Sequence, residues 1–258
     1  MKPLQDLDAR GVRVLLFDVD DTLTTQGKLT AEAYGALETL QRAGLRTVAV
    51  SGRAAGFCDY AARMWPVDAV IGENGGFCYR LDGGKLHREY RETPEVRARN
   101  RERFAGIARA IVAAVPGCIL ASDERYRETD FAIDYAEEAA ALPIEAAERI
   151  AELMRREGLH IAISSIHVHG WFGNYDKLVT ARDLLARRVE MAAGQELTAA
   201  LYVGDSPNDA SMFAYFPKSV GVANVRRFIG RMAAEPKYVT HESYGAGFAE
   251  LAAYILRR

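Results

Sequence analysis

The hydrophobic pattern of the first seventy residues alternates between short apolar runs and longer segments with apolar residues at helical spacing. The runs at residues 12–17, 46–50 and 68–71 are apolar enough for buried strands. Between them, residues 30–43 and 54–64 have apolar side chains every three or four positions, which predicts helices. Strands that alternate with helices are typical of parallel βαβ units, so the pattern predicts a doubly wound α/β sheet.

The pattern changes after residue 72, where the glycine-rich sequence GENGG interrupts the alternation. Two short strands joined at a DGG turn are predicted for residues 77–90, and an arginine-rich helix is predicted for residues 94–115. Four more strands and another helix follow before the first pattern resumes. We therefore predict an α+β domain at residues 77–172, inserted between two parts of the α/β core at residues 1–76 and 173–258.

Composition and charge restrict the class of protein. Of the 258 residues, 49% are hydrophobic and 26% are charged, which is the usual balance of a soluble globular protein. The formal net charge is -2, so no overall positive field favours nucleic acid or an anionic membrane. The three cysteines form no CxxC pair, and the first apolar run is too short for a membrane span. We expect a cytoplasmic protein that acts on small molecules, and its oligomeric state is not predicted.

Polar side chains suited to phosphoryl transfer follow several predicted strands. Asp18 and Asp20 come directly after the first strand, Ser51 follows the second, and Asp205 follows a later one. Lys177 lies at the start of a predicted helix and adds a positive charge. Because ligands bind outside the carboxyl ends of parallel strands, we expect these side chains to lie close together.

These carboxylates and the ammonium group match the chemistry of phosphoryl transfer, which mainly requires positioning and charge neutralisation. Mg²⁺ prefers oxygen ligands, so Asp18 and Asp205 suit a magnesium site. A bound cation would reduce the repulsion between Asp18 and a phosphate, which allows Asp18 to attack phosphorus. Asp20 projects to the same side of an extended backbone as Asp18, so it can protonate the leaving oxygen and later activate water.

Four sequence motifs also resemble those of a known family. In order, they are FDVDDTLT at residues 17–24, VSGR at 50–53, YDKL at 175–178 and GDSPND at 204–209. They resemble the four signatures of the haloacid dehalogenase (HAD) superfamily. An insertion of this length between the second and third signatures resembles the subclass with a large α/β cap, which includes sugar-phosphate phosphatases. The resemblance implies a Rossmann-like core, a Mg²⁺ cofactor and hydrolysis of a small phosphorylated metabolite through an aspartyl-phosphate intermediate.

The resemblance further implies a role for each matched residue. Asp18 would be the nucleophile, Asp20 the general acid and base, and Lys177 a catalytic cation. The implied phosphate-binding residues are Ser51, Gly52, Lys177 and Asn208. The implied magnesium-binding residues are Asp18, Asp20, Asp205 and Asp209. Asp21 stands where many members have glycine, so we expect at most a changed loop conformation there.

Residues of the insertion and its hinge provide less specific candidates for substrate binding. Asn74 could act in a turn, in a hinge or in substrate binding. Arg125 and Arg127 alternate along one face and could hold a second anionic group, although solvated charge is the favoured interpretation. His167 and His169 also share a face. With no third ligand nearby in sequence, they are expected to lie on an exposed or cleft-lining surface rather than to bind metal.

The sequence leaves the substrate and two alternative functions open. Small sugar phosphates, phosphoglycolate and glycosylated phosphoglycerate are all compatible with this type of cap. A phosphomutase of the same capped kind would return the phosphate to another hydroxyl of its substrate. A regulatory module would bind a phosphorylated metabolite without turnover, but such a module would not need both Asp20 and Lys177.

Overall fold

The computed structural model describes residues 1–189, 191 and 194–257, which form two β-sheets with helices packed on them. In this part of the chain the strands are β1 (Lys2–Pro3), β2 (Val14–Phe17), β3 (Arg46–Val50), β4 (Ala69–Gly72), β5 (Phe77–Asp82), β6 (Lys85–Tyr90), β7 (Ile119–Leu120), β8 (Phe131–Asp134), β9 (His160–Ile163), β10 (His167–Trp171), β11 (Ala200–Gly204), β12 (Ser219–Gly221) and β13 (Tyr238–Val239). The helices are α1 (Ala31–Arg42), α2 (Ala55–Met64), α3 (Pro94–Ala114), α4 (Ile144–Arg156), α5 (Lys177–Arg188), α6 (Glu196–Ala199), α7 (Ala210–Tyr215) and α8 (Tyr244–Leu256). No helix within the described ranges is both long and apolar enough to cross a membrane.

The larger sheet has β2 at its centre, and its strand order is β1, β13, β12, β11, β2, β3, β4, β5, β6. In this spatial order, the first seven strands, from β1 through β11 and β2 to β4, are all parallel to their neighbours. Helices cover both faces of β2, which is why all four of its residues are buried. Leu15 and Phe17 pack with α1, α2 and α8, whereas Val14 and Leu16 pack with α5 and α7. The predicted doubly wound α/β sheet is therefore confirmed.

The smaller sheet is antiparallel, with the strand order β7, β8, β10, β9. The helices α3 and α4 cover one of its faces, where Phe104, Phe131, Ile150 and Val168 belong to a shared hydrophobic cluster. Alternation along β10 directs His167 and His169 to the opposite face, which faces the loops that follow strands of the larger sheet. We call this sheet with α3, α4 and their connections the cap, and the larger sheet with its helices the core.

The hairpin of β5 and β6 belongs to the core sheet rather than to the cap. β5 pairs with β4, and Phe77 and Tyr79 are buried in the core cluster. The predicted insertion at residues 77–172 includes this hairpin, because an alternating pattern and a DGG turn predict a hairpin without indicating which sheet it joins. We propose that the inserted cap begins after Tyr90 and comprises about residues 92–172.

Candidate active site between core and cap

Four of the residues implied by the sequence motifs meet at the carboxyl end of the core sheet. Asp18 follows β2 and Asp205 follows the neighbouring strand β11, so parallel pairing places both at one edge. The side chain of Asp176 caps α5 by accepting a hydrogen bond from the Val179 N–H at 2.7 Å. The first residue of that helix, Lys177, donates from Nζ to Oδ1 of Asp18 at 2.7 Å.

Asp209 fixes the position of the lysine. Its Oδ1 accepts a hydrogen bond from Lys177 Nζ at 2.7 Å and another from the Tyr202 hydroxyl at 2.5 Å. Its Oδ2 accepts from the backbone N–H groups of Asp205 at 3.0 Å and Ser206 at 3.2 Å. Both oxygens are therefore engaged within the protein, which suits Asp209 to orient Lys177 and the loop that carries Asp205.

Burial and charge act in opposite directions on these groups. Burial raises the pKa of Asp18 well above its usual range, and this effect exceeds the opposing effect of the Lys177 ammonium. Burial alone would lower the pKa of Lys177, but Asp18 and Asp209 raise it above its usual value. Burial also raises the pKa of Asp205, together with the charges of Asp18 and Asp209. Two buried carboxylates, Asp18 and Asp209, share the Lys177 ammonium group, and the third, Asp205, lies 3.7 Å from Nη2 of the half-exposed Arg227. This excess of buried negative charge favours binding of a further cation.

The donor atoms of the cluster fit a hard divalent cation. Asp18, Asp205 and Asp209 each provide a carboxylate oxygen, and these oxygens lie within 4.8 Å of one another. Oδ2 of Asp205 accepts a hydrogen bond from Asn224 Nδ2 at 3.0 Å. Oδ1 of Asp205 is buried and has no hydrogen-bond partner in the described part of the chain. A buried carboxylate oxygen without a donor is costly unless a cation binds it, so these residues suit Mg²⁺.

The carboxylate of Asp20 pairs with an arginine rather than with this cluster. Nε of Arg53 donates to both oxygens of Asp20 at 3.0 Å, and Nη2 donates to Oδ1 at 2.8 Å. The next residue, Asp21, has φ +57°, in the left-handed region that favours glycine and that aspartate adopts more readily than most residues. Its carbonyl accepts a hydrogen bond from Asn224 Nδ2 at 2.9 Å. Asp21 therefore adopts a backbone conformation that glycine favours, at the position where many members of the family have glycine.

The loop after β3 lies between the carboxylates and the cap. Ser51 is fully buried, and its hydroxyl accepts a hydrogen bond from the Arg53 N–H at 3.0 Å. The carbonyl of Gly52 accepts a hydrogen bond from Nη1 of Arg127 at 3.0 Å. A Cβ atom at position 52 would lie 2.9 Å from Nε2 of His169, so only glycine permits this approach of the cap.

A small cavity lies where the cap faces the loops of the core. Its volume is about 10 Å³, enough for one water molecule at most. Its lining residues are Asp18, Asp20, Gly52, Arg53, Ser164, Ser165, Ile166, His167, His169, Ser206 and Asn208. A separate cavity of about 570 Å³ has Asn74, Lys177 and Asn208 among its lining residues. The small cavity between Asp18 and the cap is too small for a substrate in this closed arrangement.

The predicted substrate-binding residues Asn74, Arg125 and Arg127 do not line this cavity. Arg125 is exposed and lies over the Tyr126 ring at 4.6 Å, in agreement with the expected solvated charge. The same expectation is wrong for Arg127, which is 2% exposed and donates to Oδ1 of Asp130 at 2.9 Å. Asn74 donates from Nδ2 to Oδ2 of Asp130 at 3.3 Å. Strand alternation alone could not indicate that a loop of the core would cover Arg127.

The two histidines of β10 line the cavity, as the favoured interpretation of the sequence expected, but they contact different partners. Nδ1 of His169 lies 3.2 Å from Oδ2 of Asp130. Nε2 of His167 lies 3.0 Å from Oε2 of Glu137. The carboxylates of Asp134 and Glu137 lie close to His167, but that of Asp134 accepts four backbone N–H bonds from residues 136–139. Because all these hydrogen bonds lie within one loop, the carboxylate of Asp134 stabilises the loop at residues 136–139.

Sequence reasoning missed the buried carboxylate that joins core and cap. Glu73 follows β4, and its Oε1 accepts the N–H of Ala55 at 2.9 Å, at the start of α2. Its Oε2 accepts the N–H and the hydroxyl of Thr129, at 2.5 and 2.6 Å, and the N–H of Asp130 at 3.2 Å. The only available signal was the position of an acidic residue in the glycine-rich junction between the two parts.

Sequence reasoning likewise assigned no role to Arg53 or Glu137. Arg53 was visible in VSGR, directly after the expected phosphate-binding residues Ser51 and Gly52. Nη2 of Arg53 donates to Oε1 of Glu137 at 3.0 Å, so the arginine joins a core carboxylate to a cap carboxylate. No local pattern could have connected two residues that are 84 positions apart.

Comparisons with known proteins agree with this geometry. A family model of haloacid dehalogenase-like hydrolases matches residues 15–97. A phosphoglycolate phosphatase from Methanoculleus marisnigri is 29% identical over 243 residues, covering 93% of this chain and 94% of that protein. A Thermoplasma acidophilum crystal structure matches with a TM-score of 0.71 and 18% identity, covering 96% of this chain and 99% of that chain. The Synechocystis sucrose-phosphatase structure matches with a TM-score of 0.63 and 16% identity, covering 95% and 98%.

The match to the family model begins within β2 and includes the first two motifs, so it covers the loops that carry Asp18, Asp20 and Ser51. The solved structures are too distant in sequence to show more than the fold, but that likeness extends over nearly the whole chain, core and cap together. These findings confirm the resemblance to haloacid dehalogenase-like hydrolases that the sequence motifs indicated.

Proposed function

We propose that this chain is a magnesium-dependent phosphatase that removes phosphate from a small phosphorylated metabolite. One observation carries the proposal: the Asp18 carboxylate is held 2.7 Å from the buried Lys177 ammonium, next to the unpartnered carboxylate oxygen of Asp205. A nucleophile, a cation for the phosphoryl group and a ligand for a metal thus lie together at one strand edge. The name of the sequence relative from Methanoculleus marisnigri, phosphoglycolate phosphatase, supports the same reaction class.

The metal would be held by carboxylate oxygens of Asp18 and Asp205 and by the backbone carbonyl of Asp20, with Asp209 supporting the site. When bound, it would offset the repulsion between the Asp18 carboxylate and the substrate phosphate. Asp18 attacks phosphorus, and the bond between phosphorus and the ester oxygen breaks as the aspartyl phosphate forms. Lys177 neutralises charge on the phosphoryl oxygens throughout this transfer.

The carboxyl group of Asp20 gives a proton to the departing oxygen, so the alcohol leaves neutral. In the second half-reaction, Asp20 takes a proton from water, the resulting hydroxide attacks phosphorus, and phosphate leaves as the Asp18 carboxylate is restored. Ser51, Gly52 and Asn208 bind the phosphate oxygens in this proposal. Because the closed cavity holds no more than one water, the cap opens for substrate entry and closes to exclude bulk water during transfer.

The test is phosphate release by the purified protein from a panel that includes 2-phosphoglycolate and sugar phosphates, with and without Mg²⁺. We expect release that requires Mg²⁺ and falls at least about 1,000-fold in Asp18→Asn, because the amide is not a nucleophile toward phosphorus. Equal release by the variant and the wild type would contradict the proposal. A phosphorylated isomer formed in excess of free phosphate would indicate a mutase instead.

A further inference from the structure

One cap carboxylate lies between Arg53 and His167 at the closed cavity. Oε1 of Glu137 accepts a hydrogen bond from Nη2 of Arg53 at 3.0 Å. Its Oε2 lies 3.0 Å from Nε2 of His167, which is buried and makes no hydrogen bond among the described residues, so this nitrogen is available to a ligand. Arg53 belongs to the core, His167 belongs to the cap, and both line the cavity beside Asp20. The arrangement is that of a carboxylate-binding site with its two donors on opposite walls.

The side chains of Arg53 and His167 are largely buried in the walls of the cavity, whereas that of Glu137 is more exposed. The side chain of His167 is 3% exposed and that of Arg53 is 18% exposed, but that of Glu137 is 31% exposed. Glu137 lies between β8 and α4, outside regular structure. Its backbone N–H is fixed by Oδ1 of Asp134 at 2.8 Å, so rotation of the side chain alone would release the two donors.

We propose that Arg53 and His167 form a subsite for a carboxylate on the leaving group, and that Glu137 occupies this subsite when no substrate is bound. This inference rests on the proposed phosphatase function and narrows its substrate class to small phosphorylated carboxylic acids. A substrate carboxylate displaces Glu137 as the cap closes. Ser165, whose buried hydroxyl has no hydrogen-bond partner among the described residues, lines the same cavity and contributes a further donor.

The distances around Arg53 set the size of the leaving group. Its Nη2 contacts both Oδ1 of Asp20 at 2.8 Å and Oε1 of Glu137 at 3.0 Å. The ester oxygen that Asp20 protonates and the carboxylate that replaces Glu137 are therefore bound within reach of one guanidinium nitrogen. One or two carbon atoms span that separation, which matches a two- or three-carbon hydroxy acid esterified with phosphate.

Repulsion between carboxylates requires that the Glu137 side chain leave Arg53 when such a substrate binds. Arg53 already contacts two carboxylates, and a third beside it would be repelled by both. The side chain of Glu137 is thus a competitor of the substrate carboxylate. A neutral leaving group cannot replace its contacts with Arg53 and His167, so esters of neutral alcohols are poorer substrates.

The experiment compares two esters of equal carbon skeleton, 2-phosphoglycolate and 2-hydroxyethyl phosphate, in the full-length protein with Mg²⁺. For wild type we expect kcat/KM to favour the carboxylated ester by about 100-fold. Glu137→Gln removes the competing charge, so KM for 2-phosphoglycolate falls about 3- to 10-fold and the ratio rises. His167→Asn lowers the ratio about 10-fold. Glu138→Gln, a change of the neighbouring exposed residue, serves as the control and leaves the ratio unchanged.

A second readout does not need turnover. In the Asp18→Asn background, calorimetry measures binding of the same two esters, with the same order of preference expected. The subsite is overturned if neither Glu137→Gln nor His167→Asn changes the preference in folded protein. It is also overturned if Glu137→Gln weakens binding, since Glu137 would then accept a hydrogen bond from a substrate hydroxyl. Hydrolysis of neutral esters alone refutes the subsite but leaves the phosphatase proposal intact, whereas no hydrolysis of any ester refutes the phosphatase.

Discussion

The core and the cap contribute opposite kinds of side chain to the cavity between them. The core edge is crowded with carboxylates held by one ammonium group, Lys177, whose hydrogen bonds to Asp18 and Asp209 are buried. The cap face presents two histidines and serine hydroxyls. Every core residue of the cluster follows a strand or lies at the start of a helix. The cap contributes side chains from strand β10 and from loops, and these meet the core only in the closed arrangement. We infer that the core fixes the reaction and the cap selects the substrate.

The largest effect is expected from Lys177→Met, which leaves two buried carboxylates without their cation. Activity should fall about 1,000-fold, because charge on the transferring phosphoryl group is no longer neutralised. The free energy of unfolding in urea should fall by about 3–5 kcal/mol, because breaking a buried pair leaves uncompensated charge. The control is Lys85→Met at the exposed start of β6, which should leave both quantities unchanged. Unchanged stability of Lys177→Met would show that the core site does not depend on this ion pair.

The second-largest effect is expected at the metal site, whose ligands all lie in the core. Asp205→Asn replaces the unpartnered carboxylate oxygen by an amide group, so calorimetric Mg²⁺ affinity should fall at least about 100-fold. Asp82→Asn, at an exposed position of the same sheet, is the matched control. A cap variant, His167→Asn, should keep the wild-type affinity for Mg²⁺. Loss of Mg²⁺ binding in the cap variant would break the division between the two regions.

The smallest effect concerns the connection between the regions. Glu73→Gln puts an amide NH₂ among backbone donors that now bond a carboxylate, at a cost of about 1–3 kcal/mol. The cap should then open more often, so amide hydrogen exchange of residues 127–132 should accelerate. KM should rise by about 10-fold, with a smaller change in kcat. Exchange at wild-type rates would mean that Glu73 stabilises α2 without holding the cap.

Much of the core site could be predicted from sequence, because its residues follow apolar runs whose parallel pairing fixes their common edge. Asp18, Lys177, Asp205 and Asp209 meet as the motifs indicated. The cap site could not be predicted in the same way. Local alternation along a strand says which side chains share a face but not what covers that face, and so the buried environment of Arg127 was missed.

The most direct test of the account is the identity of the covalent intermediate. Wild-type protein is mixed with 2-phosphoglycolate and Mg²⁺, quenched in acid within milliseconds and digested, and the peptides are weighed by mass spectrometry. The account predicts one added phosphoryl group on the peptide that contains Asp18, and none in Asp18→Asn. A phosphoryl group on another residue, or rapid turnover by Asp18→Asn, would contradict it.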